Sequence, residues 1–264
     1  MLRAIRVLGF ADACKFRVWQ LSTSARNKGF AREVPGFATP PPHVAFDALN
    51  HVDWHIYRDT GIAHAELFAR AICLACPGDT PLDVLEWGCG PGRIVRHVLA
   101  ALGDRAGSVT ATDCNTESIA WCRDNLPGVH FAQNDPHPPL PFVAASFDAV
   151  YCFSVFTHLS EAAQIAWARE LRRVLRPGGI LVCTTQGAAF RFLLASGAER
   201  ARFDSGAVVV QGNYQEGKKW FIAIQPEAFV KQSLLGEFVD VHRFTTTTDD
   251  DILQDVWVAR ASKV

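Results

Sequence analysis

The chain has 264 residues, 49% of them hydrophobic, enough to bury a full core, and a length near 250 is ordinary for one α/β unit. Its 26 Lys and Arg stand against 27 Asp and Glu, a net charge of −1 that gives no global pull toward nucleic acid or an anionic membrane. No apolar run approaches the roughly 18 residues that span a bilayer. Arg6, Asp12 and Lys15 also break the N-terminal apolar residues before a secretory core forms, so a cytoplasmic location is expected.

Residues 1–33 hold seven cations, Arg3, Arg6, Lys15, Arg17, Arg26, Lys28 and Arg32, against Asp12 and Glu33. This basic arm reads as a solvated, partly disordered leader whose partner is unknown. Residues 35–42 form a Pro/Gly-rich linker that no helix or central strand absorbs. Helical patterns follow at about 43–57 and 61–76. Eight scattered cysteines read as small buried hydrophobes. The pair Cys73 and Cys76 has metal-ligand spacing, but no second C-x-x-C accompanies it and no metal site is expected.

Val84-Leu85-Glu86-Trp87-Gly88-Cys89-Gly90-Pro91-Gly92-Arg93 then joins an apolar strand, an acid just past it and three glycines at alternate positions. Such glycines permit a tight turn and close approach to a ligand, and a helix starting near Pro91 aims free N–H groups at an anionic group. Glu86 sits where a cationic amine can be bound. The dinucleotide fingerprint G-x-G-x-x-G fails, because Arg93 stands where it needs a small residue.

Residues 108–113 read as a second strand ending in Asp113, 21 residues past Gly92, where a carboxylate can take both ribose hydroxyls. A third strand at 129–132 is closed by Gln133-Asn134-Asp135, and a fourth runs over 147–152. The helix 160–175 has Ser160 as cap, an apolar stripe of Ile165, Leu171, Val174 and Leu175, and Arg172, Arg173 and Arg176 at its negative end. Pro177-Gly178-Gly179 stops it before a fifth strand at 180–185. Residues 207–210 and 220–224 pair as a hairpin, 226–235 return to a helix, and strands at 238–244 and 253–259 pair antiparallel at the sheet edge.

In motif and order, residues 80–185 resemble the class I S-adenosylmethionine-dependent methyltransferases, whose first motif is an acid followed by G-x-G-x-G. The implied fold is α/β: a Rossmann-like, doubly wound, seven-stranded sheet, mostly parallel with strand seven antiparallel. An N-terminal helical arm and a cap inserted after strand five complete it. The expected organisation is a basic arm and linker at 1–42, cover helices at 43–78, and a methyltransferase domain at 79–264 with a substrate cap at about 186–225. The run from Asn134 to Phe142, with Ser146-Phe147-Asp148 and the run from Ser154 to Leu159, is similar to bacterial stand-alone enzymes of glycan or secondary-metabolite assembly.

The resemblance implies S-adenosyl-L-methionine as cofactor and S-adenosyl-L-homocysteine as product. It assigns Glu86 and the loop of Gly88, Cys89, Gly90 and Gly92, with Arg93 beside it, to the methionine half. Asp113 goes to the ribose, Asn134 and Asp135 to the adenine edge, and Cys114 to the adenine face, where relatives often carry a larger apolar residue. Phe153 and Ser154 lie where the backbone meets the methionine amine. His43, His51, Trp54, His55 and Tyr57 fall on helices that cover the cofactor in this class.

Trp54, Tyr57, Tyr214 and Trp220 are the substrate candidates, and Phe190, Phe192, Phe203 and Phe221 add aromatic cover on the cap. His158, just beyond strand four, is the candidate base or acceptor-orienting group. The expected reaction is in-line methyl transfer to a small-molecule or sugar hydroxyl, without a metal or a nucleic-acid partner. Two alternatives share the glycine loop: a catalytically silent cofactor-binding scaffold, and an NAD-dependent oxidoreductase, whose G-x-G-x-x-G fingerprint fails at Arg93.

Overall fold

The computed structural model describes residues 2–212, 216–250 and 252–263. Three helices come first: α1 (Leu2–Glu33), α2 (Pro42–Leu49) and α3 (Trp54–Ala75). The alternating part follows as β1 (Leu82–Trp87), α4 (Val95–Leu102), β2 (Ala106–Asp113), α5 (Thr116–Asn125), β3 (His130–Gln133), β4 (Phe147–Cys152), α6 (Glu161–Val174) and β5 (Leu175–Thr185). The last third holds α7 (Gly197–Asp204), β6 (Val209–Gln211), β7 (Ile222–Ile224), α8 (Glu227–Phe229), which runs on into a π turn, β8 (Val239–Arg243) and β9 (Asp255–Arg260).

One seven-stranded sheet has the order β3-β2-β1-β4-β5-β9-β8, and β6 with β7 makes a separate antiparallel ribbon. β9 is antiparallel to β5, with Cys183 opposite Trp257, so the expected seven-stranded arrangement is present. Period-two alternation sends successive side chains of β1 to opposite faces. Leu85 and Trp87 join Trp167 and Leu171 of α6 on one face, and Val84 joins Phe68 of α3 and Val98 of α4 on the other. Burial on both faces is why the central strands are apolar almost throughout.

Residues 2–33 are one continuous helix, where the sequence reads as a partly disordered leader. Its inner positions, Phe16, Trp19, Thr23, Asn27 and Phe30, recur at helical spacing. Phe30 packs with Ala45, Trp54 and Tyr57. Asn27 donates to Val52 O at 2.7 Å and accepts from Trp54 N at 3.1 Å, while Arg26 pairs with Asp53 at 2.8 Å. Asp53 in turn caps α3 by accepting from His55 N and Ile56 N. Polar inner residues with partners this distant leave no apolar periodicity to read.

Smaller corrections follow from local geometry. The helix after the glycine loop begins at Val95 rather than near Pro91, because residues 90–94 turn first. Glu86 lies inside β1, opposite Ala111 and Tyr151, rather than past its end. Cys89, Cys122, Cys152 and Cys183 are buried as expected, but Cys14 and Cys114 are exposed.

Candidate functional site

The loop after β1 is tied to the next strand by Gly88 N and Cys89 N, which donate to Thr112 O at 2.8 and 3.1 Å. Gly88 has φ +80°, and a Cβ there would strike the Val155 side chain, so the turn and the close approach both require glycine. The turn brings Gly90 N to Asp113 Oδ2 at 2.7 Å, while Asn115 N donates to Oδ1 at 2.8 Å. Burial pushes the Asp113 carboxyl up despite these two donors. Asp113 thus stands at the end of β2 against the loop, beside exposed Cys114.

Glu86 is buried beneath the same loop and accepts from Tyr151 Oη at 2.8 Å. Burial raises it to about 7, against the Tyr151 hydroxyl, the nearby Arg93 charge and the Val95 N–H. Arg93 is also buried; its Nη1 lies 3.0 Å from Thr60 Oγ1 and 3.1 Å from His64 Nδ1, and the guanidinium covers the Phe153 ring at 5.0 Å. It braces the loop against α3.

Beyond β3, the Thr112 hydroxyl donates to Asn134 Oδ1 at 2.6 Å, and Asn134 Nδ2 donates to Asp135 O at 2.7 Å. Gln133, Asn134, Asp135, Pro139, Leu140 and Pro141 line a depression of about 280 Å³. Glu170 of α6 holds this rim by accepting from Leu140 N at 2.7 Å, and Arg173 clamps Glu170 at 2.6 Å.

At the end of β4, Phe153 lies 4.5 Å from the His64 ring and Ser154 adopts φ +58°, an uncommon conformation for a side chain other than glycine. Its N–H donates to Thr184 Oγ1 at 2.7 Å, and its hydroxyl accepts from Gln254 Nε2 at 2.8 Å and donates to Thr157 Oγ1 at 2.9 Å. Gln254 also accepts from Thr184, so β4, β5 and the segment before β9 are tied at this strained position. Gln254 lies 100 residues from Ser154, and no sequence signal pointed to it.

His158 follows in a short 3₁₀ turn. Its Nδ1 is 2.8 Å from Phe221 O, a group that only accepts, so the proton is on Nδ1 and the lone pair on Nε2. Burial lowers its pKa, against the Phe221 carbonyl. The cap segment before β7 closes over this turn: Gly217 N donates to His158 O at 2.8 Å, and Ser160 N to Glu216 Oε1 at 2.7 Å. From the same segment, Lys219 Nζ reaches Asp12 Oδ2 of α1 at 2.7 Å and the Phe46 ring of α2 at 4.1 Å. Ala48 of α2 lies over Gly90. Cap and N-terminal helices thus meet above the strand ends.

The aromatic candidates separate. Trp54 and Tyr57 are buried in the α1–α3 cluster, and the Tyr57 hydroxyl donates to Pro91 O at 2.7 Å, so they brace the glycine loop instead of lining an acceptor pocket. Burial pushes the Tyr57 phenol far up. His43 reaches Glu117 at 2.7 Å and His55 reaches Glu33 at 3.0 Å, each joining neighbouring elements, while His51 accepts locally from Asp53 N. Trp220 is half-buried in the turn beside Lys219, and Tyr214 lies outside the described residues. Phe203 packs with Leu194, Val209 and Ile224, with Phe190 against them, in a small core of the cap itself, and Phe192 is exposed. Phe221 is buried where its carbonyl meets His158.

Residues 84–179 match the family model described as a methyltransferase domain. The chain is 34% identical over 128 residues to a malonyl-[acyl-carrier protein] O-methyltransferase of Enterobacter lignolyticus, covering 47% of this chain and 48% of that one. It is 36% identical over 140 residues to a fatty-acid O-methyltransferase of Mycolicibacterium smegmatis, covering 52% and 44%. The chain spans about half the length of these curated relatives. In fold it is similar to an S-adenosylmethionine-bound amino pentose methyltransferase from Micromonospora echinaspora, with TM-score 0.54 and 18% identity over 76% of this chain and 92% of that one. Motif order, strand order and these likenesses agree: residues 84–179 match a methyltransferase domain, and the sheet built around them is similar in fold to that of the class I S-adenosylmethionine-dependent methyltransferases.

Proposed function

We propose that the protein transfers a methyl group from S-adenosylmethionine to a hydroxyl of a small molecule or sugar. One observation carries this reading. The ends of β1, β2 and β4 place the glycine loop, Asp113 and a neutral His158 on one rim of the sheet, under the N-terminal helices and cap.

The residues present fit the cofactor. Each Asp113 oxygen accepts one backbone N–H and keeps further acceptor capacity for ribose hydroxyls. The depression at Asn134, Asp135 and Leu140 has the polar edge and apolar floor that suit a purine. Glu86 puts a titratable carboxyl behind the loop, complementary to a cationic amine. When bound, the cofactor supplies an electrophilic sulfonium methyl.

The chain itself then has to align the acceptor, exclude water and accept a proton. His158 Nε2 is the proton acceptor, and its Nδ1 bond to Phe221 O fixes the tautomer. Two similar proteins are named as O-methyltransferases, which supports oxygen as the attacking atom.

The test is release of S-adenosylhomocysteine across a panel of hydroxyl acceptors, with cofactor affinity by calorimetry. Asp113→Ala is expected to weaken binding roughly ten- to a hundredfold, the worth of a charge-assisted pair. An unaffected Asp113→Ala, or tight NAD binding, would overturn the cofactor assignment. Tight binding without turnover of any acceptor would identify a silent binding protein instead.

A further inference from the structure

We propose that the outer face of α1 seats the protein on the surface of an anionic lipid bilayer. The inner stripe of α1 is committed to α2, α3 and the cap, through Phe30, Asn27, Arg26 and Asp12. The opposite face is not. Phe10, Val18 and Leu21 are 74%, 64% and 79% exposed, and Cys14 is exposed between them. At about 100° per residue these four positions fall within an arc of roughly 80°. Single exposed apolar residues are ordinary, but an aligned set on one rigid helix is a surface.

Charge selects the occupant. Exposed Lys28 and Arg32 lie on the same arc and exposed Arg17 about 20° beyond its edge, and residues 1–33 carry seven cations against two acids while the whole chain nets −1. The positive charge is therefore concentrated on this helix and the rest of the chain is net acidic. A second copy would bring the same cations face to face, which disfavours self-association. An exposed helix face of this kind sinks its apolar tips into a deformable headgroup layer with the cations at its edge. No helix among the described residues is long and apolar enough to cross a membrane, so the helix lies on the bilayer.

Flotation of the full chain with phosphatidylcholine vesicles, with and without phosphatidylglycerol, tests this. Binding is expected only to the phosphatidylglycerol vesicles, and it should weaken as salt rises. Phe10→Ser with Leu21→Ser should cost tenfold or more. Arg17→Ala, Lys28→Ala and Arg32→Ala should each cost about fivefold. Because these side chains are exposed, the melting temperature of every variant should match the parent. No binding to anionic vesicles, or binding untouched by both sets of substitutions, overturns the proposal. So does an outer-face variant that dissolves a dimer, or loses an acidic protein partner, while vesicle binding persists.

Discussion

His158 donates through Nδ1 to the Phe221 carbonyl, and burial lowers its pKa below the ordinary imidazole value of 6.5, so Nε2 keeps its lone pair into mildly acid solution. As the base, it should place the acid limb of the kcat profile below pH 6.5. His158→Ala should remove that limb and roughly 10²–10⁴ of turnover while cofactor affinity stays nearly intact. A variant that melts lower but turns over normally when folded would make His158 a packing residue. Glu86 allows a separate test on the free protein. Burial raises its carboxyl from 4.5 to about 7, so the folded state holds the proton more tightly than the unfolded chain. Its contribution is full below pH 4.5 and is lost as pH rises to about 7, by about 3 kcal/mol. Urea unfolding across this range should show the parent losing stability relative to Glu86→Gln; parallel curves would contradict the buried, protonated carboxyl. His97, lowered by burial to about 4, acts in the opposite sense over pH 6.5 to 4, which is why the comparison must be with the variant.

Among the elements, α6 shows what local sequence carries. Ser160 caps it by accepting from Ala163 N, and the helix ends at Val174, one residue short of the expected boundary. Its buried stripe also includes Gln164 and Trp167, which the apolar pattern alone omitted. α1 is the opposite case, because apolar residues lie on both its inner and outer faces and polar Thr23 and Asn27 lie on the inner one. Its docking rests largely on Phe30. Truncating a buried Phe typically costs about 3–5 kcal/mol. Phe30→Ala should therefore release α1 to proteolysis at its Lys and Arg residues well before the sheet unfolds. Cleavage appearing only together with global unfolding would show that α1 is no separable unit.

Across the whole molecule, the Lys219–Asp12 pair, with Lys219 over the Phe46 ring, joins the cap to both N-terminal helices. Both side chains are largely shielded, so losing one leaves the other poorly solvated. Allowing for the remaining solvent screening, the pair should contribute about 1–2 kcal/mol to closure. Lys219→Ala should then raise hydrogen exchange in residues 216–221 and in the adjoining part of α1 together, by about tenfold. A rise confined to either side would show that cap and helix open independently.

The glycine loop, the acid at the end of β2 and the strand order were legible in the sequence, because turn residues, period-two alternation and capping residues act over a few positions. Folding decided what those residues face. Arg93 turned to His64, Tyr57 spent its hydroxyl on Pro91, and Gln254 reached back to Ser154. Each contact joins segments distant in the chain, beyond the reach of local preference. The outer face of α1 became a surface for the same reason: only packing of its inner face distinguishes the two sides of that helix.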